Sequence, residues 1–214
     1  MTKTAHPTDL ELAALISSKI CHDVINPVGA IYNGLEILNE EDDPEAKSYA
    51  LDVIRNVTEQ ASARLQFARF AFGAAGSAGS VIDLSTAEQI SRGFVGGNKH
   101  KLIWKAPAGH LAKDRAKLLL NMVAAGMNAL PRGGEIQVEI KGALEKANLR
   151  VRCRGTGARP PNFLAEFLSG SPKVAIDSQS IQAYYTTRLA ASAGMRLQVM
   201  QEKADVVLLA SDQK

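Results

Sequence analysis

His22, Asp23 and Asn26 lie in the stretch KICHDVINPVGAI, residues 19–31. An imidazole, a carboxylate and an amide this close together on a helix can do phosphoryl chemistry. A neutral imidazole is a good nucleophile near neutral pH. A neighbouring carboxylate can accept a hydrogen bond from the other ring N–H and support a cationic, phosphorylated ring, the orienting part an acid plays in a catalytic triad. Adjacent residues do not face each other on an ideal helix, so spacing alone leaves the reach of Asp23 open. Asn26, one turn on, can hold a water or a phosphoryl oxygen. Two neighbours work against the helix itself. Pro27 removes a backbone hydrogen bond and favours a kink, and Gly29 lowers helix stability relative to alanine.

A long amphipathic helix must carry these residues. Apolar residues recur at Ile20, Val24, Val28, Ile31, Leu35 and Leu38, in steps of three and four. At about 100° per residue, the apolar stripe centres about 35° from Ile20, and His22 falls at about 200°. Asn26, Gly29 and Asn33 fall within roughly 60° of His22, on the face opposite the stripe. A small-residue face centred on a histidine suits the close approach of another protein. NEEDDP then breaks the pattern, and Asp43 followed by Pro44 predicts an N-cap and first turn. A second run follows at Ala50, Ile54, Val57, Ala61, Leu65, Ala68 and Phe72. One hairpin of two such helices cannot bury both stripes, so pairing with a second copy in a four-helix bundle is expected.

GAAGSAGS, residues 73–80, has the composition of a flexible linker. The domains are therefore placed at 1–75 and 81–214. Beyond the linker the pattern is mixed. VIDL and HKLIWKA read as strands, and DRAKLLLNMVAAGMNAL as a helix capped by Asp114. GGEIQVEIKG and NLRVRCRG read as a strand pair. A helix covers about residues 179–192, and MRLQVMQ with ADVVLLA closes the chain as a hairpin. The predicted fold class is α+β, a helical hairpin followed by an α/β sandwich.

Composition excludes several function classes. Lys and Arg number 25 against 22 Asp and Glu, a net charge of +3, too balanced to argue for nucleic acid. No apolar run approaches the ~20 residues of a membrane span, and acids stand where a signal peptide has its apolar core. The reading is a cytoplasmic protein with no nucleic-acid or membrane partner. Cys21 and Cys153 are far apart and read as free thiols. No metal-ligand spacing occurs, and His100 and His110 lack carboxylate or cysteine neighbours at ligand spacing. His6 falls in a polar tail. Arg64 and Arg69 on the second helix could touch the acidic pocket of a partner, but read first as a solvated helix face. Arg150, Arg152 and Arg154 alternate along one strand, either as a surface for an acidic partner or as an exposed sheet face or an edge guarded by charge.

HDVINP resembles the phosphoacceptor box of dimeric sensor histidine kinases: histidine, acid, apolar residue, any residue, Thr or Asn, proline. The order of two long helices, linker and α/β half is also similar to theirs. The second half departs from them. In NMVAAGMNALPRGGEIQV the proline, the Gly-Gly, the following strand and Asn121 match. The Mg²⁺-binding asparagine position is Ala125, and a phosphate-contacting lysine position is Asn128. In CRGTG, Gly155 and Gly157 remain, but Cys153 replaces the adenine-contacting aspartate. The last glycine-rich box is missing from DSQSIQAYYTTRLAASAG. Without these groups Mg²⁺ lacks its oxygen ligand, adenine its hydrogen-bond partner and the phosphates their N–H cradle.

Nearly the whole chain resembles the ChpT-type bacterial histidine phosphotransferases. The resemblance implies a histidine-kinase-ATPase-like second domain that has lost ATP. It implies that His22 carries the phosphoryl group, that Asp23 is its acid/base partner and that Asn26 influences phosphoryl return. Ile25, Gly29 and Asn33 are assigned to partner binding, with Gly34 beside them. The expected partners are a second copy, the receiver domain of a hybrid histidine kinase and the receivers of response regulators. No cofactor of its own is expected; Mg²⁺ should arrive in the receiver. Two other readings stay open on the residues: an ATP-dependent histidine kinase, and an adaptor that only binds receivers.

Overall fold

The computed structural model describes residues 6–73, 80–97, 99–170 and 172–213. Helix α1 (Asp9–Glu40) starts at a capping box: the Thr8 hydroxyl accepts from the Glu11 N–H, and the Glu11 carboxylate accepts from the Thr8 N–H. It continues through Pro27, whose ring is buried. Helix α2 (Pro44–Ala71) starts as the sequence predicts, with the Asp43 carboxylate accepting from the N–H groups of Glu45 and Ala46. The two helices form an antiparallel hairpin. Gly34 is buried in it; a Cβ there would lie 2.7 Å from Ile54 Cγ1 and 3.6 Å from the Ala50 carbonyl oxygen. The expectation that Gly34 shares the outer contact face with Asn33 is therefore wrong. It lets the two helices approach. Gly29 differs, with nothing within 4 Å of the corresponding position.

The second half contains β1 (Val81–Asp83), α3 (Leu84–Val95), β2 (His100–Lys105), β3 (His110–Ala112), α4 (Lys113–Asn128), β4 (Gly134–Lys141), β5 (Asn148–Arg154), α5 (Asn162–Leu168), α6 (Ile181–Ser192), β6 (Met195–Glu202) and β7 (Asp205–Asp212). Five strands make one sheet in the order β2-β4-β5-β7-β6, parallel at β2–β4 and antiparallel elsewhere. β1 and β3 form a separate antiparallel pair. Register puts Ile136, Val138 and Ile140 opposite Cys153, Val151 and Leu149, and Val151 opposite Leu208. These side chains form one buried core with Leu118, Leu119, Met122 and Val123 of α4. The predicted α/β sandwich is this layer of helices on the sheet. The Gly133–Gly134 pair turns the chain at positive φ of 83° and 141°; a Cβ at Gly133 would lie 2.1 Å from the Lys99 carbonyl oxygen.

Three elements, the 12-residue α3 and the short β3 and α5, are not among those expected from the sequence. α4 begins at Ala112 with no side-chain cap, so Asp114 serves as a first-turn acid rather than the cap. The arginines of β5 are not at a sheet edge, because β5 lies between β4 and β7. Arg150 pairs with Glu139 at 3.3 Å and Glu202 at 2.9 Å, and Arg152 with Glu202 at 3.2 Å and Asp205 at 2.9 Å. Arg154 lies 3.4 Å from Asp205. Acids of neighbouring strands thus offset much of that positive stripe.

The two halves share a second core. Phe67 and Ala71 of α2 are buried with Ile90 of α3 and with Leu120 and Ala124 of α4. Phe67 stacks on Phe94 with ring centroids 3.7 Å apart. Asn121 Nδ2 donates to the carbonyl of Ala71 at 3.2 Å, satisfying one of the orphan carbonyls that end α2. The predicted linker, residues 74–79, lies outside the described residues. At the other end of α1, His6 is not in a free tail: its ring packs on Tyr184 of α6, with Nδ1 3.2 Å from the phenol oxygen.

Gly34→Leu should force α1 and α2 apart. Overpacking of this kind costs roughly 1–3 kcal/mol, which should lower Tm by roughly 2–10 °C in a chain of this size. Thermal circular dichroism measures it, with Gly29→Leu as the control that should show no loss.

Candidate functional site

The middle of α1 carries the sequence-predicted residues, and the α1–α2 contact decides which way they point. Pro27 and Gly34 turn toward α2, so His22, Ile25, Asn26, Gly29 and Asn33 are left exposed along the opposite side. The structure thus brings together His22, Asn26, Gly29 and Asn33 on one outer face, as the periodicity predicts, with Ile25 at its margin. The His22 side chain is 74% exposed. Its Nδ1 lies 3.7 Å from Asp23 Oδ1, so these adjacent side chains do approach each other. That is longer than a hydrogen bond and close enough for an ion pair once the ring carries charge. With Nδ1 turned toward the carboxylate, any nucleophilic chemistry of this ring would fall to Nε2.

Two cations reach Asp23 that the sequence reading did not place there. Lys19, one turn earlier, pairs with Asp23 Oδ2. The i,i+4 spacing of opposite charges was visible in the sequence and was the signal for this contact. Arg64 Nη1 of α2 donates to the Asp23 backbone carbonyl at 3.1 Å. Only the tertiary fold brings that pair together. Asp23, Arg64, Phe67 and Gln182 line a shallow cleft where α1, α2 and α6 meet. The helix face bearing Val28, Tyr32 and Leu35 is apolar yet 47–62% exposed, and Leu51 and Leu65 of α2 are about half exposed.

The second half holds a cavity of about 270 Å³ lined by Ala125, Asn128, Arg159, Leu164, Gln182 and Thr186. That is below the roughly 300–1,000 Å³ usual for ligand sites. The residues do not fit a nucleotide with Mg²⁺. Ala125 offers a methyl group where an oxygen ligand is needed. Cys153 is fully buried in the sheet core, and burial, with a smaller contribution from the Asp205 carboxylate, pushes its thiol up to about 12. It stays neutral and inaccessible, so it cannot replace an aspartate that faces adenine. Asn121 is turned away, into the junction with α2. Gly155 is needed for packing, since a Cβ there would lie 2.4 Å from the Gly133 carbonyl oxygen. Among the described residues, no cluster of His, Cys, Asp and Glu could hold a metal, and no helix is long and apolar enough to cross a membrane. His100 Nε2 instead meets the Leu130 carbonyl at 3.1 Å, and His110 lies 3.4 Å from Asp83.

Comparison with known proteins finds relatives that cover nearly the whole chain. The family described as histidine phosphotransferase C-terminal domain matches residues 84–205. The protein phosphotransferase ChpT of Brucella abortus (strain 2308) is 42% identical over 202 residues, 94% of this chain and 95% of that protein. A solved structure described as a bacterial phosphotransferase superimposes with a TM-score of 0.90 at 38% identity, covering 98% of this chain and all of the other. By sequence and by fold, this chain belongs to the histidine phosphotransferase family.

Proposed function

We propose that this transferase is the middle carrier of a phosphorelay. His22 Nε2 attacks the phosphorus of an aspartyl phosphate on the receiver domain of a hybrid histidine kinase. The P–N bond forms, the P–O bond to the aspartate breaks, and the carboxylate leaves. The group then moves in the opposite sense to the aspartate of a response-regulator receiver. No ATP takes part. The single observation that carries this reading is the exposed His22 ring, with Nδ1 turned toward Asp23 and the small or polar residues Asn26, Gly29 and Asn33 on its face. The name of the Brucella relative, protein phosphotransferase, supports it as well.

Each residue has a chemical part. Asp23 stabilises the charged ring as the phosphoryl group arrives. Asn26 can donate to a phosphoryl oxygen. Gly29 admits the receiver surface, which must bring its aspartate to within bonding distance of Nε2 in line with the bond that breaks. Mg²⁺ belongs in the acidic pocket of the receiver, where it would neutralise the phosphoryl oxygens. The exposed apolar face at Val28, Tyr32 and Leu35 supports a homodimer through α1 and α2. The second half serves as a docking surface held beside His22. We place the relay in the cytoplasm, where free thiols such as Cys21 and Cys153 stay reduced.

His22→Ala should abolish transfer in both directions, with the fold and receiver binding retained, because the side chain faces solvent. Asp23→Asn should slow transfer without stopping it. A reconstituted relay with a phosphorylated receiver as donor measures both; relay by His22→Ala would leave the adaptor reading standing. Calorimetry with ATP and Mg²⁺ should show no binding at micromolar nucleotide, whereas a micromolar Kd would restore the kinase reading. Sedimentation at micromolar protein should give a dimer, and a monomer with intact helices would remove the four-helix bundle.

A further inference from the structure

Pro27 leaves a gap in the hydrogen bonding of α1. In a regular helix the N–H of residue 27 donates to the carbonyl of residue 23. Proline has no N–H, and its ring pushes against that same carbonyl. The carbonyl is that of Asp23, the residue next to His22. Arg64 Nη1 donates to it at 3.1 Å from the facing helix, 41 residues away in sequence. The carboxylate of Asp23 is meanwhile held by Lys19 and faces His22 Nδ1 at 3.7 Å. Both polar ends of Asp23 are thus held by cations.

We propose that Arg64 is a positioning residue for phosphoryl transfer: its guanidinium replaces the donor missing at Pro27 and fixes the turn that carries His22 and Asp23. The proposal rests on the reading of His22 as phosphoryl carrier. A freed carbonyl would turn to water, and the helix would open at the proline. Opening that turn changes the direction of the ring and of the carboxylate together, and in-line transfer is sensitive to displacements of about 1 Å. Arginine suits the task because its charge is permanent and its fork of N–H donors makes a charge-assisted bond to a carbonyl.

A double-mutant cycle between Arg64→Met and Pro27→Ala tests this. Methionine keeps an apolar stem and removes the donors; alanine restores the N–H at position 27. Two readings are taken: the ¹³C carbonyl resonance of Asp23 in the unphosphorylated chain, and the rate of transfer from a phosphorylated receiver domain. In the Pro27 background, Arg64→Met should move the Asp23 resonance and slow transfer by about two- to tenfold, the range expected for one net hydrogen bond. In the Pro27→Ala background the same change should alter neither reading. Equal slowing in both backgrounds would overturn the proposal, since the arginine would then act by its charge on the receiver. An unmoved Asp23 resonance in the Pro27 background would also overturn it. If the parent chain accepts no phosphoryl group, the reading of His22 falls and the positioning role falls with it. A parent that transfers while the cycle shows no coupling sinks the positioning role alone.

Discussion

Phe67 stacked on Phe94 closes a core that belongs to both halves of the molecule. Helix α2 ends inside that core, and Asn121 of α4 caps the carbonyl of Ala71. The placement of α1 follows, because α1 packs on α2 through Gly34 and Ile54, and the segment just before it is tied to α6 through His6 and Tyr184. With one side of α1 committed to α2, the side bearing His22 must face outward. The orientation of His22 is thus a consequence of packing tens of residues away. A polar group at Phe67 would be buried without partners and would loosen the whole arrangement.

In the second half, three positions that the kinase resemblance singles out are taken up by packing. Ala125, Cys153 and Gly155 make van der Waals contacts where polar contacts would be needed for ATP. Once Cys153 is buried against α4, its thiol behaves as a small apolar group. A desolvated carboxylate would be costly in such a place, and with a thiol there the sheet core is continuous. Asn121 is likewise committed to structure. Its amide joins α4 to α2 and fixes the junction between the halves.

The sequence was most readable where one period ruled. The two long helices, the Asp43–Pro44 start, the β4–β5 pair and the closing hairpin all follow from local pattern and turn chemistry. So does the outward face of His22, Asn26, Gly29 and Asn33. What escaped depends on distant contacts. Gly34 and Gly29 look alike in sequence, yet one is buried against Ile54 and the other is open. His6 and Arg64 read as solvated because their partners, Tyr184 and the Asp23 carbonyl, lie far along the chain. The arginines of β5 looked available because the acids that neutralise them, Glu139, Glu202 and Asp205, come from other strands. The helix α5 and the strand β3 are too short for periodicity to mark them, whereas α3, with Leu84, Ala87, Ile90 and Val95 buried at helical spacing, carried a pattern that the reading of VIDL as a strand passed over.

The central claim is that His22 itself carries the phosphoryl group. Mixing the chain with a receiver domain phosphorylated on aspartate, then mapping the phosphopeptides under alkaline conditions, tests it directly. An acid-labile, alkali-stable phosphate on the peptide that contains His22, and its loss when a second receiver is added, is the predicted result. Phosphate on a different residue, or none on the chain while the second receiver still becomes phosphorylated, would contradict the account.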